Sequence, residues 1–159
     1  MRRVICNFTI AFLFFFPLHA AEDVGIREMV NRINLFNRYL PQEKVYLHFD
    51  NTAYFVGEKM WFKAYVLRSD NHHATDVSRV LYVELLDRSG NVVETQKLPT
   101  GAMGQADGVF DLRNVLAGGF YEVRAYTRYM LNWDSSWLFS RVFPIFETPG
   151  KEGDYSRPS

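Results

Sequence analysis

An all-β fold, a sandwich of seven strands preceded by one amphipathic helix, is what three observations predict. From residue 44 onward, apolar residues recur with period two in seven short runs. The runs are separated by turn-forming stretches, with Gly57, Gly90 and Gly119 at connections. Ahead of them lies one segment whose apolar residues recur every three or four positions.

The chain opens with Arg2 and Arg3, an apolar run from Ile10 to Pro17, and the small residue Ala20. These three regions describe a secretory signal peptide over residues 1–20 and place the mature protein in the periplasm, at the cell surface or outside the cell. The run is shorter than the roughly 20 residues a membrane span needs, so a mature chain from Ala21 carries no transmembrane segment. Cys6, the only cysteine, falls within the leader, which leaves no thiol or disulfide chemistry beyond it. With 18 Lys and Arg against 18 Asp and Glu, the chain has no electrostatic footprint for nucleic acid.

Residues 21–42 hold the helix. Ile26, Met29, Val30, Ile33, Phe36 and Leu40 form one stripe, Asp23 is positioned to cap the start, and Pro41 stops the segment. Such a stripe either packs on its own domain or docks on a partner.

The sandwich occupies residues 43–147. The first strand starts at Lys44, and Val45, Leu47 and Phe49 share one face. The second follows a tight connection through Gly57. Here Met60, Phe62, Ala64 and Val66 face one way and Trp61, Lys63, Tyr65 and Leu67 the other. Apolar bulk on both faces predicts a central strand covered on both sides, with Trp61 in the core. Further strands are expected over 79–86, 92–98, 108–112, 120–129 and 137–146, with Tyr121 facing inward in the sixth. Pro144 lacks a donor, so the last strand lies at an edge or ends there. Residues 148–159, rich in Pro, Gly and charge, read as a tail or linker.

The series Glu43-Lys44-Val45-Tyr46, Asp50, Tyr54, Gly57-Glu58 and Trp61-Phe62-Lys63-Ala64-Tyr65 resembles the macroglobulin-type domain of the alpha-macroglobulin superfamily. The likeness continues through Tyr82-Val83-Glu84-Leu85-Leu86-Asp87, Gly90, Gly104, Gly108, Phe110-Asp111-Leu112, Gly119-Phe120-Tyr121 and Arg124-Ala125-Tyr126-Thr127. It is similar to the variant at the front of large secreted or outer-membrane proteins of Gram-negative bacteria, where a helix also precedes the first strand. The resemblance implies a fibronectin/immunoglobulin-like sandwich, and it brings in an endopeptidase-inhibitor system as a functional alternative. Trapping of proteases in that family needs a bait segment and a Cys-Gly-Glu-Gln thioester on other domains, and neither occurs in this sequence.

Candidate chemistry is sparse. His72 and His73 share a polar loop with Asp70 and Asp76, but adjacent residues make poor metal ligands. His48 alternates with Tyr46 and Asp50 without a nucleophile nearby. Asp50 is expected to accept backbone N–H groups at a strand end, and Tyr54 to bury its ring and hand its hydroxyl to backbone. Trp133 and Trp137 flank a polar loop containing Asp134. That loop either plugs the end of the sandwich or contacts a partner, which would be a protein, a following domain or a glycan. No metal, cofactor or catalytic group is expected, and the domain reads as a non-enzymatic interaction module.

Overall fold

The computed structural model describes residues 24–115 and 117–147. The leader, the Asp23 cap and the tail lie outside the described residues. The chain divides after Leu35 into two compact units.

Helix α1 spans Val24–Tyr39. Its stripe residues Ile26, Met29, Val30 and Ile33 are exposed. The last turn closes with the Leu40 N–H on the Phe36 carbonyl at 2.7 Å, just ahead of Pro41.

The described residues of the second unit form eight strands in two sheets. β1 (Glu43–Phe49), β3 (Lys59–Arg68) and β6 (Gln105–Asp111) make a three-stranded sheet with β3 in the middle. β2 (Tyr54–Phe55), β8 (Phe139–Phe146), β7 (Gly119–Tyr126), β4 (Val80–Leu86) and β5 (Val92–Pro99) make the other, in that order. All neighbours are antiparallel except β2 and β8, which pair in parallel through Tyr54 with Ile145 and Phe55 with Phe146.

Alternation builds the core. Val45 and Leu47, then Met60, Phe62, Ala64 and Val66, point inward from the small sheet. Leu81, Val83 and Leu85, Tyr121, Val123 and Ala125, and Phe143 and Ile145 meet them from the other. Gly108 lets the layers close: a Cβ there would lie 2.2 Å from the Phe62 ring and 2.7 Å from the Gln96 side-chain oxygen. Gln96 of β5 in turn donates to the Val109 carbonyl of β6 at 2.5 Å, tying one sheet to the other.

The sandwich corrects the expected strands in five places. The seventh and sixth expected strands are shorter, because 3-10 turns at Tyr129–Asn132 and Ser135–Trp137 replace their ends. β6 begins at Gln105 rather than at Gly108. β2 is an extra, two-residue strand, so the link through Gly57 is a detour to the opposite sheet. The fourth concerns Trp61. β3 is central, but its sheet is covered on one side only, and Trp61 is 53% exposed rather than in the core. Pro144 pairs with Phe120 on the β7 side, on a reach of β8 that lies ahead of its pairing with β2. Contrary to expectation, the strand therefore neither forms the edge of its sheet nor ends at Pro144, but runs on to Phe146 between β7 and β2; the missing N–H is tolerated because it falls just before the β2 pairing begins.

Candidate functional site

Beyond Phe49 the chain turns and sends Tyr54 into the core, where it is fully buried. Its hydroxyl donates to Oδ1 of Asp50 at 2.6 Å and accepts the Asn51 N–H at 3.1 Å. The same Asp50 oxygen accepts the N–H of Trp61 at 3.2 Å. The hydroxyl thus goes to a carboxylate, with the Asn51 carbonyl only at 3.2 Å. Burial first, and the Asp50 bond second, push the Tyr54 hydroxyl well above the ordinary tyrosine range. Gly57, with φ of 92°, turns the chain back so that its N–H reaches the Leu112 carbonyl at 3.2 Å.

The other expected structural positions sit at turns. Gly90 closes the β4–β5 hairpin with its N–H on the Asp87 carbonyl at 2.9 Å. Gly119 opens β7 opposite Ile145. Tyr121 is buried and donates back to the Ala117 carbonyl at 2.8 Å, the arrangement of a tyrosine corner.

A buried carboxylate escaped the sequence reading. Glu43 is 1% exposed. It accepts from the hydroxyls of Thr75, of Ser78 at 2.6 Å and of Thr127 at 2.5 Å, and from the Ser78 N–H at 3.0 Å. Four donors make an otherwise costly burial tolerable, and they join the start of β1, the 75–78 segment and the end of β7. Extending the period of Val45 and Leu47 back by two would have placed Glu43 on the inner face.

The segment after β7 holds the three expected contact residues. Trp133 is half-buried and meets Phe36 edge-on at 6.2 Å, and its Nε1 is buried without a hydrogen-bond partner. Asp134 caps the next 3-10 turn by accepting the Ser136 N–H at 2.9 Å, a bond that holds its carboxyl below the usual range. Trp137 is 37% exposed. It lines a cleft of about 550 Å³ with Lys44, Tyr46, Leu138 and Phe139, where the rims of β1 and β8 approach each other. The two indoles therefore stand in different settings: Trp133 in a ring contact, Trp137 in an open cleft.

The described histidines do not come together in one group. His48 meets Tyr65 edge-on at 5.7 Å. His72 and His73 lie in a loop whose two carboxylates, Asp70 and Asp76, bind Arg68 at 3.2 and 3.4 Å. Among the described residues no group of three His, Cys, Asp or Glu side chains is placed to hold a metal.

No protein-family model matches the chain, and no curated protein matches it. Solved structures do. Alpha-2-macroglobulin from Salmonella reacted with methylamine aligns over 67% of this chain at 19% identity, with a TM-score of 0.54. Trypsin-activated alpha-2-macroglobulin from Escherichia coli aligns over 65% at 14% identity, with a TM-score of 0.53. In both cases the chain spans 6% of the other protein's length. The likeness is one of fold: the sandwich is macroglobulin-like.

Proposed function

We propose that this chain is a non-catalytic, exported macroglobulin-like module that holds a protein partner or a neighbouring domain at the cell envelope. The observation that carries the reading is the Trp137 cleft. A large aromatic ring at the end of a 3-10 turn shares a cleft with Tyr46 and Lys44 of β1. Tryptophan and tyrosine in such settings dominate binding energy at interfaces. The signal-peptide pattern of residues 1–20 supports export, and the fold is shared with a segment of bacterial alpha-2-macroglobulins.

The test is a crosslinking pull-down from an envelope extract with wild type and a Trp133→Ala, Trp137→Ala double variant of equal stability. Loss of one defined partner from the variant supports the reading, and identical recovery from both removes the cleft as the contact. Intact mass of the exported protein decides whether the chain begins at Ala21.

A second reading, favoured by the fold likeness alone, makes the domain one part of an endopeptidase-inhibiting assembly. Protection of trypsin from a protein-sized inhibitor, with peptide hydrolysis retained, would support it.

A further inference from the structure

The outer face of the three-stranded sheet carries more aromatic surface than folding requires. Lys59, Trp61, Lys63 and Tyr65 alternate along β3 on the side opposite the core. The register sets Tyr46 beside Tyr65 and His48 beside Lys63. Each ring has its own lysine: the ammonium of Lys44 lies 5.8 Å from the Tyr46 ring centre, that of Lys59 5.9 Å from Trp61, and that of Lys63 6.0 Å from Tyr65. Trp61 and Tyr65, four residues apart on one strand, are separated by about 13 Å along it.

Past Tyr65 the face runs into an open, mostly apolar groove of about 530 Å³, lined by Leu67, His72, His73 and Met103 among others. Met103 is 74% exposed. His72 holds a φ of 59°, a left-handed conformation that costs a side-chain-bearing residue and is often kept where a surface has a task. The face carries one lysine more than it has aspartates, on a chain that is neutral overall, with Lys63 opposite Asp107 and Lys59 opposite Asp111. Lys44, Lys59 and Lys63 confront Asp107 and Asp111, and Asp111 is already engaged by Arg113.

We propose that this face binds an acidic polysaccharide, with sugar rings lying on Trp61 and Tyr65 and their carboxylates meeting Lys59 and Lys63. Rings spaced along one strand suit an extended chain of pyranose rings. A folded protein would call instead for a central pocket in which an anchor is fully desolvated. The amphipathic rings supply the stacking surface, and the lysines make the attraction selective for anions and sensitive to salt. The site goes beyond the protein-partner reading and is centred on β3 rather than on Trp137.

The experiment measures binding of the full chain to polygalacturonate, to its methyl-esterified, uncharged form, and to poly-glutamate, at low and high salt. Wild type is expected to bind polygalacturonate at least tenfold more tightly than either of the others, and more weakly as salt rises. Trp61→Ala is expected to lose at least tenfold, and a Lys59→Gln, Lys63→Gln variant to lose the preference for the charged polymer. Because these side chains are exposed, the variants should keep the wild-type urea midpoint, which is checked in parallel. No binding of polygalacturonate by wild type overturns the proposal, as does equal binding by a folded Trp61→Ala. Equal affinity for poly-glutamate would also overturn it, and would assign the face to an acidic peptide.

Discussion

The Tyr54 hydroxyl and the Asp50 carboxylate, 2.6 Å apart, lock the end of one sheet to the start of a crossing to the other. Because Asp50 also receives the Trp61 N–H, one carboxylate oxygen serves the bend and the start of β3 together. Tyr54→Phe removes the donor and leaves Asp50 with its backbone partner. The expected loss is about 1–2 kcal/mol of stability, measured by urea denaturation. In an alkaline titration of wild type, Tyr54 should ionise well above the ordinary tyrosine range, alongside Tyr126, which burial and then the Glu84 bond push up to about 12, and Tyr54→Phe should remove one of these two delayed ionisations.

Glu43 should matter more. Glu43→Ala strips three hydroxyls and one N–H of their common acceptor in a buried place. The expected cost is about 3 kcal/mol or more. Glu43→Gln, which keeps one acceptor oxygen and asks a hydroxyl to turn and accept, should cost roughly half as much. Denaturation midpoints of the two variants in parallel check the order.

Two glycines separate conformational strain from steric clash. Gly57 has φ of 92° with open space where a Cβ would go, so Gly57→Ala should cost about 1 kcal/mol. Gly104 has φ of 70°, and a Cβ there would lie 2.3 Å from the Val66 carbonyl oxygen, so Gly104→Ala should cost clearly more. Equal costs at the two positions would contradict the close approach of the 101–104 turn to β3.

At the end of β6, hydrogen bonds from the Arg113 guanidinium, and then from its backbone N–H, hold the Asp111 carboxyl down at about 2. A carboxyl lowered in the folded state favours folding above its unfolded value near 4, and that contribution fades as pH falls toward about 2. Arg113→Ala should move Asp111 up toward the ordinary carboxylate range, which carbon-detected NMR titration of the side chain reads directly. The pair is exposed, so neutral-pH stability should change little.

The alternation of Met60, Phe62, Ala64 and Val66 was legible because burial on a strand repeats every two residues, and these four define the core face. Trp61 was misread for a related reason: an apolar outer face has the same pattern whether it is covered or open to solvent. Tyr54–Phe55 was invisible as a strand because two residues are too short to show a period. Trp137 was assigned to a strand by its apolar neighbours, whereas the Asp134 cap winds Ser135–Trp137 into a 3-10 turn. The period of Val45 and Leu47 puts Glu43 on the inner face, but its partners are up to 84 positions away, so no stretch of sequence shows the donors that let a carboxylate be buried there.

The parallel pairing of β2 with β8 sets an order of events in folding. Tyr54 and Phe55 are made early, but their ladder partners Ile145 and Phe146 emerge about ninety residues later. While the chain is being synthesised, that corner has nothing to pair with. The β1–β3 pairing joins segments close in sequence, whereas the corner between them waits for the final strand. Closing so long a loop is slow, so arrival of residues 139–146 is expected to be the step that commits the domain to its native state.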